Sequence, residues 1–170
     1  MKIIAHRGAS AYAPENTLEA FKLAVKMGSK DFEFDIHLTK DKVPVVHHDF
    51  HLLRTAEVKA EIGDLNYADL KKINVSRHFS SDYQFQCIPR VEEVLEIIAP
   101  VADFVNFEIK NDNNAYKGIE KIITDFICEK KDIYEKALIS CFDYPTAKRI
   151  RLCDKGVKMG YLGHSLTNLL

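Results

Sequence analysis

The stretch Phe32-Glu33-Phe34-Asp35-Ile36-His37-Leu38 places a large apolar residue at every second position, with Glu33, Asp35 and His37 between them. A period of two predicts a β-strand, here one with an apolar face and an acidic face. A second extended run, Val43 to His47, begins after only Thr39-Lys40-Asp41-Lys42. Parallel strands need a crossover of about a dozen residues or more, so the two runs are expected to pair as an antiparallel hairpin. A turn centred on Lys40 and Asp41 sets Glu33 opposite His48, and one centred on Asp41 and Lys42 sets Asp35 there. Either even-length turn brings His48 to the acidic face.

Outward from this hairpin, extended and helical periods alternate, which predicts an α/β protein with a largely parallel sheet. Strands are expected at Lys2 to His6, Phe104 to Lys110, Ala137 to Cys141 and Val157 to Leu162, five parallel strands with the first stretch included. Asn16, with Glu19 three residues on, reads as the cap of a helix that Gly28 stops. Further helices are expected over Tyr67 to Asn74, Val91 to Ala99, Tyr116 to Lys130, and Tyr144 to Asp154, the last capped by Asp143.

At 170 residues and 46% hydrophobic, the chain is long enough to bury roughly 70% of its unfolded surface in one core. One domain over residues 1–170 is expected. Lys and Arg number 24 against 25 Asp and Glu, a net charge of −1, which argues against nucleic acid or an anionic membrane as a partner. Cys87, Cys128, Cys141 and Cys153 are too scattered for a zinc site or a disulfide scaffold, and read as reduced, mostly buried thiols. The N-terminus offers only a short apolar run before His6 and Arg7, so a soluble, cytoplasmic chain without stable membrane insertion is expected.

Glu33 and Asp35 project from one strand face about 7 Å apart, within reach of a single hard cation. By itself such a pair is more often a solvated face. The apolar residues between them place the strand in a core, where two carboxylates need a neutralising partner. Glu108 and Lys110 repeat the pattern on another strand. Three carboxylates without a His or Cys cluster suit Mg²⁺ or Ca²⁺ better than zinc. His6-Arg7-Gly8 sets an imidazole and a guanidinium at a strand end, as phosphate binding with proton transfer requires; a capping His6 and a snorkelling Arg7 would look the same. Among the other histidines His48 alone aligns with the carboxylates. His47 reads as structural, and His37, His51, His78 and His164 have no spacing that marks them.

Taken together, His6-Arg7-Gly8, Pro14-Glu15-Asn16-Thr17, Glu33-x-Asp35 with Thr39 and Asp41, and His48-Asp49 resemble the glycerophosphodiester phosphodiesterase family. Ile88-Pro89, Phe107-Glu108-Ile109-Lys110 and Ser140 with Phe142 extend the likeness to about Leu162. The resemblance implies a (β/α)8 TIM-type barrel with the hairpin at its catalytic mouth. It implies a divalent cation, Mg²⁺ or Ca²⁺, on Glu33, Asp35 and Glu108, acid and base roles for His6 and His48, and phosphate binding by Arg7 and Lys110. The implied reaction turns a glycerophosphodiester into glycerol 3-phosphate and an alcohol, the adjacent glycerol hydroxyl attacking first to give a cyclic phosphate that water opens. A complete barrel takes about 250 residues, so an incomplete one is expected, with five of eight strands and no counterpart to the family's C-terminal third. Its open sheet edges invite a cover, such as a second copy of the chain. Lys42 stands where the family usually has Gly, and Arg90 where Thr is common. Lysophospholipids as substrates, or a non-catalytic remnant that binds metal or a partner, are the alternative readings.

Overall fold

The alternation at 32–38 becomes one strand of a six-stranded sheet in the computed structural model of the chain, which describes residues 3–80 and 83–163. The elements run β1 (Ile4–His6), α1 (Leu18–Lys26), β2 (Asp31–Leu38), β3 (Pro44–Val46), α2 (Leu53–Ala56), α3 (Tyr67–Leu70), α4 (Val91–Ile98), β4 (Phe104–Ile109), α5 (Ile119–Cys128), α6 (Lys131–Tyr134), β5 (Ala137–Cys141), α7 (Tyr144–Cys153) and β6 (Lys158–Tyr161). Five strands are parallel in the order β1-β2-β4-β5-β6, and β3 returns antiparallel along the end of β2. The expected α/β architecture of five parallel strands and a hairpin is what forms. Lys2 and His164 lie outside the described residues.

The register explains how carboxylates coexist with a core. Phe34 pairs with Phe107, and Phe107 with Ile139, so the apolar residues of β2, β4 and β5 line up on one face. All three are fully buried, and α1 covers them through Phe21, whose ring meets Phe34 edge-on at 5.9 Å. Each such burial contributes roughly 2–3 kcal/mol. On the opposite face the same pairing aligns His6, Glu33 and Asn106 in one row and Asp35, Glu108 and Ser140 in the next. A second apolar cluster, including Val45, Leu52, Ile62, Leu70 and Ile88, fills the excursion between β3 and α4.

Four expectations are corrected. The cap of α1 is Thr17, whose Oγ1 accepts from the Ala20 N–H at 3.3 Å, because Asn16 is turned into the left-handed region at φ 57° and used elsewhere. The helix expected from Tyr116 starts at Ile119, since Gly118 sits at φ +83° just before it. The hairpin register, Ile36 to Val46 and Leu38 to Pro44, centres on Asp41 and is odd. Its loop closes through Thr39, whose N–H donates to the Val43 carbonyl at 3.1 Å and whose hydroxyl donates to Asp41 Oδ1 at 2.6 Å. Lastly, Cys141 is buried, but Cys87 is half-buried and Cys128 and Cys153 are exposed.

Candidate active site

The site is assembled where β1, β2 and β4 end. After β1 the chain makes a tight excursion that returns to itself, the Asn16 N–H donating to the Arg7 carbonyl at 3.0 Å. Arg7 and Asn16 both have positive φ, 59° and 57°, a conformation that costs of order 1 kcal/mol or more for a non-glycine residue. Gly8, at φ +77°, is required for a different reason: a Cβ there would lie 2.7 Å from the Ala20 backbone carbon. The strained geometry aims both side chains at one acceptor. Asn16 Nδ2 donates to Asp35 Oδ2 at 2.8 Å, and Arg7 Nε lies 3.3 Å from the same oxygen.

Glu33, Asp35 and Glu108 come together as the strand pattern predicts, each offering an oxygen within 4.8 Å of the others. All three are buried. Lys110 bridges Asp35, at 3.0 Å, and Glu108. Burial opposes its charge, but the two carboxylates outweigh it and hold the ammonium above its ordinary range. Glu33 has no such cation. Its Oε2 accepts from the Arg7 N–H at 3.1 Å and lies 3.7 Å from His6 Nε2, while its buried Oε1 has no hydrogen-bond partner. Burial, then the charges of Asp35 and Glu108, push Glu33 up to about 8. An orphaned oxygen in an all-carboxylate set is the donor chemistry that a hard divalent cation takes. Burial and the nearby Arg7 charge hold His6 below its ordinary value, so its imidazole is neutral near pH 7.

His48 arrives by a route the strand period does not describe. The odd hairpin register sets His47 beside Asp35 in the backbone ladder, the His47 N–H donating to the Asp35 carbonyl at 3.1 Å. The His47 ring is buried against Thr55, as a structural residue should be, and burial drives it down to about 4. β3 ends at Val46, which frees His48 to turn. Its Nδ1 lies 2.6 Å from Asp49 Oδ1. A carboxylate accepts, so Nδ1 carries hydrogen and Nε2 is left for proton transfer.

Several residues at the site escape the sequence reading. Arg54, from α2, donates to Asp49 Oδ2 at 2.7 Å and to Glu15 Oε1 at 2.6 Å; Glu15 in turn accepts from Arg7 at 3.2 Å. Burial works to raise Asp49, but the hydrogen bonds from Arg54 and His48 hold it well below the carboxylate range. Glu15 and Asn16 belong to the Pro14-Glu15-Asn16-Thr17 block and were visible there; Arg54 has no motif. His37 is wholly buried, which drives it down to about 3, and bonds to Tyr116. Ser140, in register with Glu108, has a buried hydroxyl without a partner. His51 and His78 take no part in the carboxylate cluster.

Three carboxylates with Lys110 and Arg7 beside them thus gather on one face, with the His6 imidazole next to Glu33. A model of the glycerophosphoryl diester phosphodiesterase family matches residues 6–169. A glycerophosphodiester phosphodiesterase of Caldanaerobacter subterraneus is 34% identical over 94% of this chain and 65% of its own length. One of Bacillus altitudinis is 38% identical over 84% of this chain and 58% of its own. The chain therefore spans about two thirds of the length of these curated relatives, or less. A solved structure of an Oleispira antarctica phosphodiesterase in complex with the product sn-glycerol-3-phosphate matches with a TM-score of 0.77 at 30% identity, over 95% of this chain and 65% of that one. With a family match over nearly its whole length, this chain belongs to the glycerophosphoryl diester phosphodiesterase family.

Proposed function

We propose that this site hydrolyses glycerophosphodiesters, such as glycerophosphocholine or glycerophosphoethanolamine, to glycerol 3-phosphate and an alcohol. The observation that carries the reading is the convergence of Glu33, Asp35 and Glu108 within 4.8 Å, beside Arg7 and Lys110. These carboxylates would hold one Mg²⁺ or Ca²⁺, which when bound polarises the phosphoryl oxygens. Arg7 and Lys110 set positive charge beside the same oxygens, where negative charge grows in the transition state. Of His6 and His48, one takes the proton from the glycerol hydroxyl as its oxygen bonds to phosphorus, and the other protonates the departing alkoxide. When water opens the resulting cyclic phosphate the two roles exchange. The relatives' names and the product in the Oleispira structure support this substrate class, though those chains are longer.

Residues 1–170 are read as one such domain. Its partner is a small phosphodiester rather than nucleic acid, and no helix among the described residues is long and apolar enough to cross a membrane. The free cysteines suit a reducing, cytoplasmic setting. β1 and β6 end the sheet, with Ile4 and Tyr161 exposed, and a second copy of the chain is the cover proposed for them.

Release of glycerol 3-phosphate from glycerophosphocholine by the purified chain, with Mg²⁺ or Ca²⁺ and with chelator, tests the reading. Chelator-sensitive turnover is expected. A folded, cation-loaded protein that releases none refutes it, and a monomeric sedimentation mass refutes the proposed cover.

A further inference from the structure

His37 stands two residues beyond Asp35 on the same face of β2 and is fully buried. Both ring nitrogens are engaged: Nε2 lies 3.1 Å from the His48 carbonyl oxygen and Nδ1 lies 2.9 Å from the Tyr116 hydroxyl. A carbonyl can only accept, so Nε2 carries the hydrogen. Neither partner is an anion, so the buried ring is neutral, Nδ1 keeps its lone pair, and the Tyr116 hydroxyl must donate to it. The direction of the whole relay is thereby set, from Tyr116 through His37 to the backbone of His48.

Packing holds the relay in one arrangement. The Phe50 ring, two residues after His48, stacks on Tyr116 at 5.9 Å and meets His37 edge-on at 4.9 Å. Tyr116 is anchored from the far side, where its N–H donates to Asn111 Oδ1 at 2.7 Å and the buried Asn111 donates to Thr146 of α7 at 3.0 Å. None of these groups has a part in the proposed chemistry. Yet the chain after β3 has left the sheet at His48, so a backbone carbonyl held by a rigid ring limits where the His48 imidazole can reach.

We propose that Tyr116 is a positioning residue, which acts through His37 on the backbone of His48 and so places the His48 imidazole for proton transfer. The proposal rests on the reading of His48 as acid or base.

The test is Tyr116→Phe, which removes one hydroxyl and keeps the stacked ring, made in the wild-type chain and in His48→Ala. Glycerol 3-phosphate release from glycerophosphocholine at saturating Mg²⁺ should lose about tenfold in kcat with KM held within about twofold, the pattern of a misplaced catalytic group. In the His48→Ala background the same change should cost nothing further. An equal loss in both backgrounds overturns the proposal, as does an unchanged kcat. The imidazole nitrogen resonances of His48, recorded without substrate, decide independently of turnover: Tyr116→Phe should shift them, and unchanged resonances overturn the proposal. Full activity of His48→Ala, with those resonances still shifted by Tyr116→Phe, would instead overturn the acid or base role and leave the structural link standing.

Discussion

Cation binding at this site should release a proton, and the amount follows from Glu33. Lys110 compensates Asp35 and Glu108, whereas Glu33 has a single N–H on one oxygen and nothing on the other. Burial and the two neighbouring carboxylates therefore push it up to about 8. A cation binds the ionised form, so its binding should expel about 0.9 proton at pH 7, about 0.5 at pH 8 and about 0.1 at pH 9. Below pH 8 the apparent affinity for Mg²⁺ or Ca²⁺ should fall about tenfold for each pH unit. Titration calorimetry at pH 7 in PIPES and in Tris, which take up protons with different enthalpies, counts the protons directly. The stability of the cation-free protein carries the same signature with a definite sign. An acid whose folded value is raised stabilises fully below its ordinary value of 4.5 and loses that contribution as pH rises through about 8. The cation-free chain should thus weaken across this window, by an amount on the order of a few kcal/mol, and Glu33→Gln should flatten the profile. Binding that releases no proton at pH 7, with affinity constant from pH 6 to 8, would refute the assignment of Glu33 as a buried, cation-seeking carboxylate.

Three substitutions probe the scaffold around that cluster. Gly8→Ala combines a positive φ with a Cβ 2.7 Å from backbone, and should cost about 3 kcal/mol or more in urea unfolding. Lys42→Gly should add up to about 1 kcal/mol by the same assay, because Lys42 sits at φ 64°, where a side chain is strained. Asp49→Asn removes the carboxylate acceptor on His48 Nδ1; kcat should fall about 100-fold with Mg²⁺ affinity unchanged, and equal loss of both would mean that Asp49 serves the cation instead.

What could be read from the sequence is what strand periodicity and motif spacing encode. The period of two at 32–38 places Glu33 and Asp35 on one face and Phe34 and Ile36 on the other, and β4 repeats it with Glu108 and Lys110. The cluster is a direct product of that periodicity and of parallel register, Asp35 beside Glu108. The hairpin was visible but its register was not. A turn of two residues is the commonest closure, and the bonds from Thr39 to Asp41 and Val43 select an odd loop instead. Asn16 illustrates a second limit. An Asn three residues before a Glu at a helix start has the composition of a cap, yet its side chain gains more from a buried carboxylate, and Thr17 caps in its place. Arg54, Tyr116 and His37 could not be found from spacing at all, because each matters through a partner 39 or more residues away on another element or through the shape of an irregular loop.

The residues that break local rules are concentrated where charges must be brought together. Arg7 and Asn16 accept left-handed backbone, and in return one carboxylate oxygen of Asp35 receives the Asn16 amide and pairs with the Arg7 guanidinium, both from a single loop. From Asp35 an alternation of charge continues through Arg7, Glu15, Arg54 and Asp49 to His48, each link a contact of 3.3 Å or less. The chain of contacts joins the loop after β1, the strand β2 and the segment after β3 that includes α2. Removing one member would leave its neighbour with an unbalanced charge, and the cost rises toward the buried Asp35 end, where water cannot compensate. At the Arg54 end, where the side chain is 41% exposed, solvent takes over part of that task. The network should therefore be stiff at the carboxylates, where cation geometry is demanding, and more yielding beside His48, where the bond from His37 to the His48 carbonyl adds a second hold.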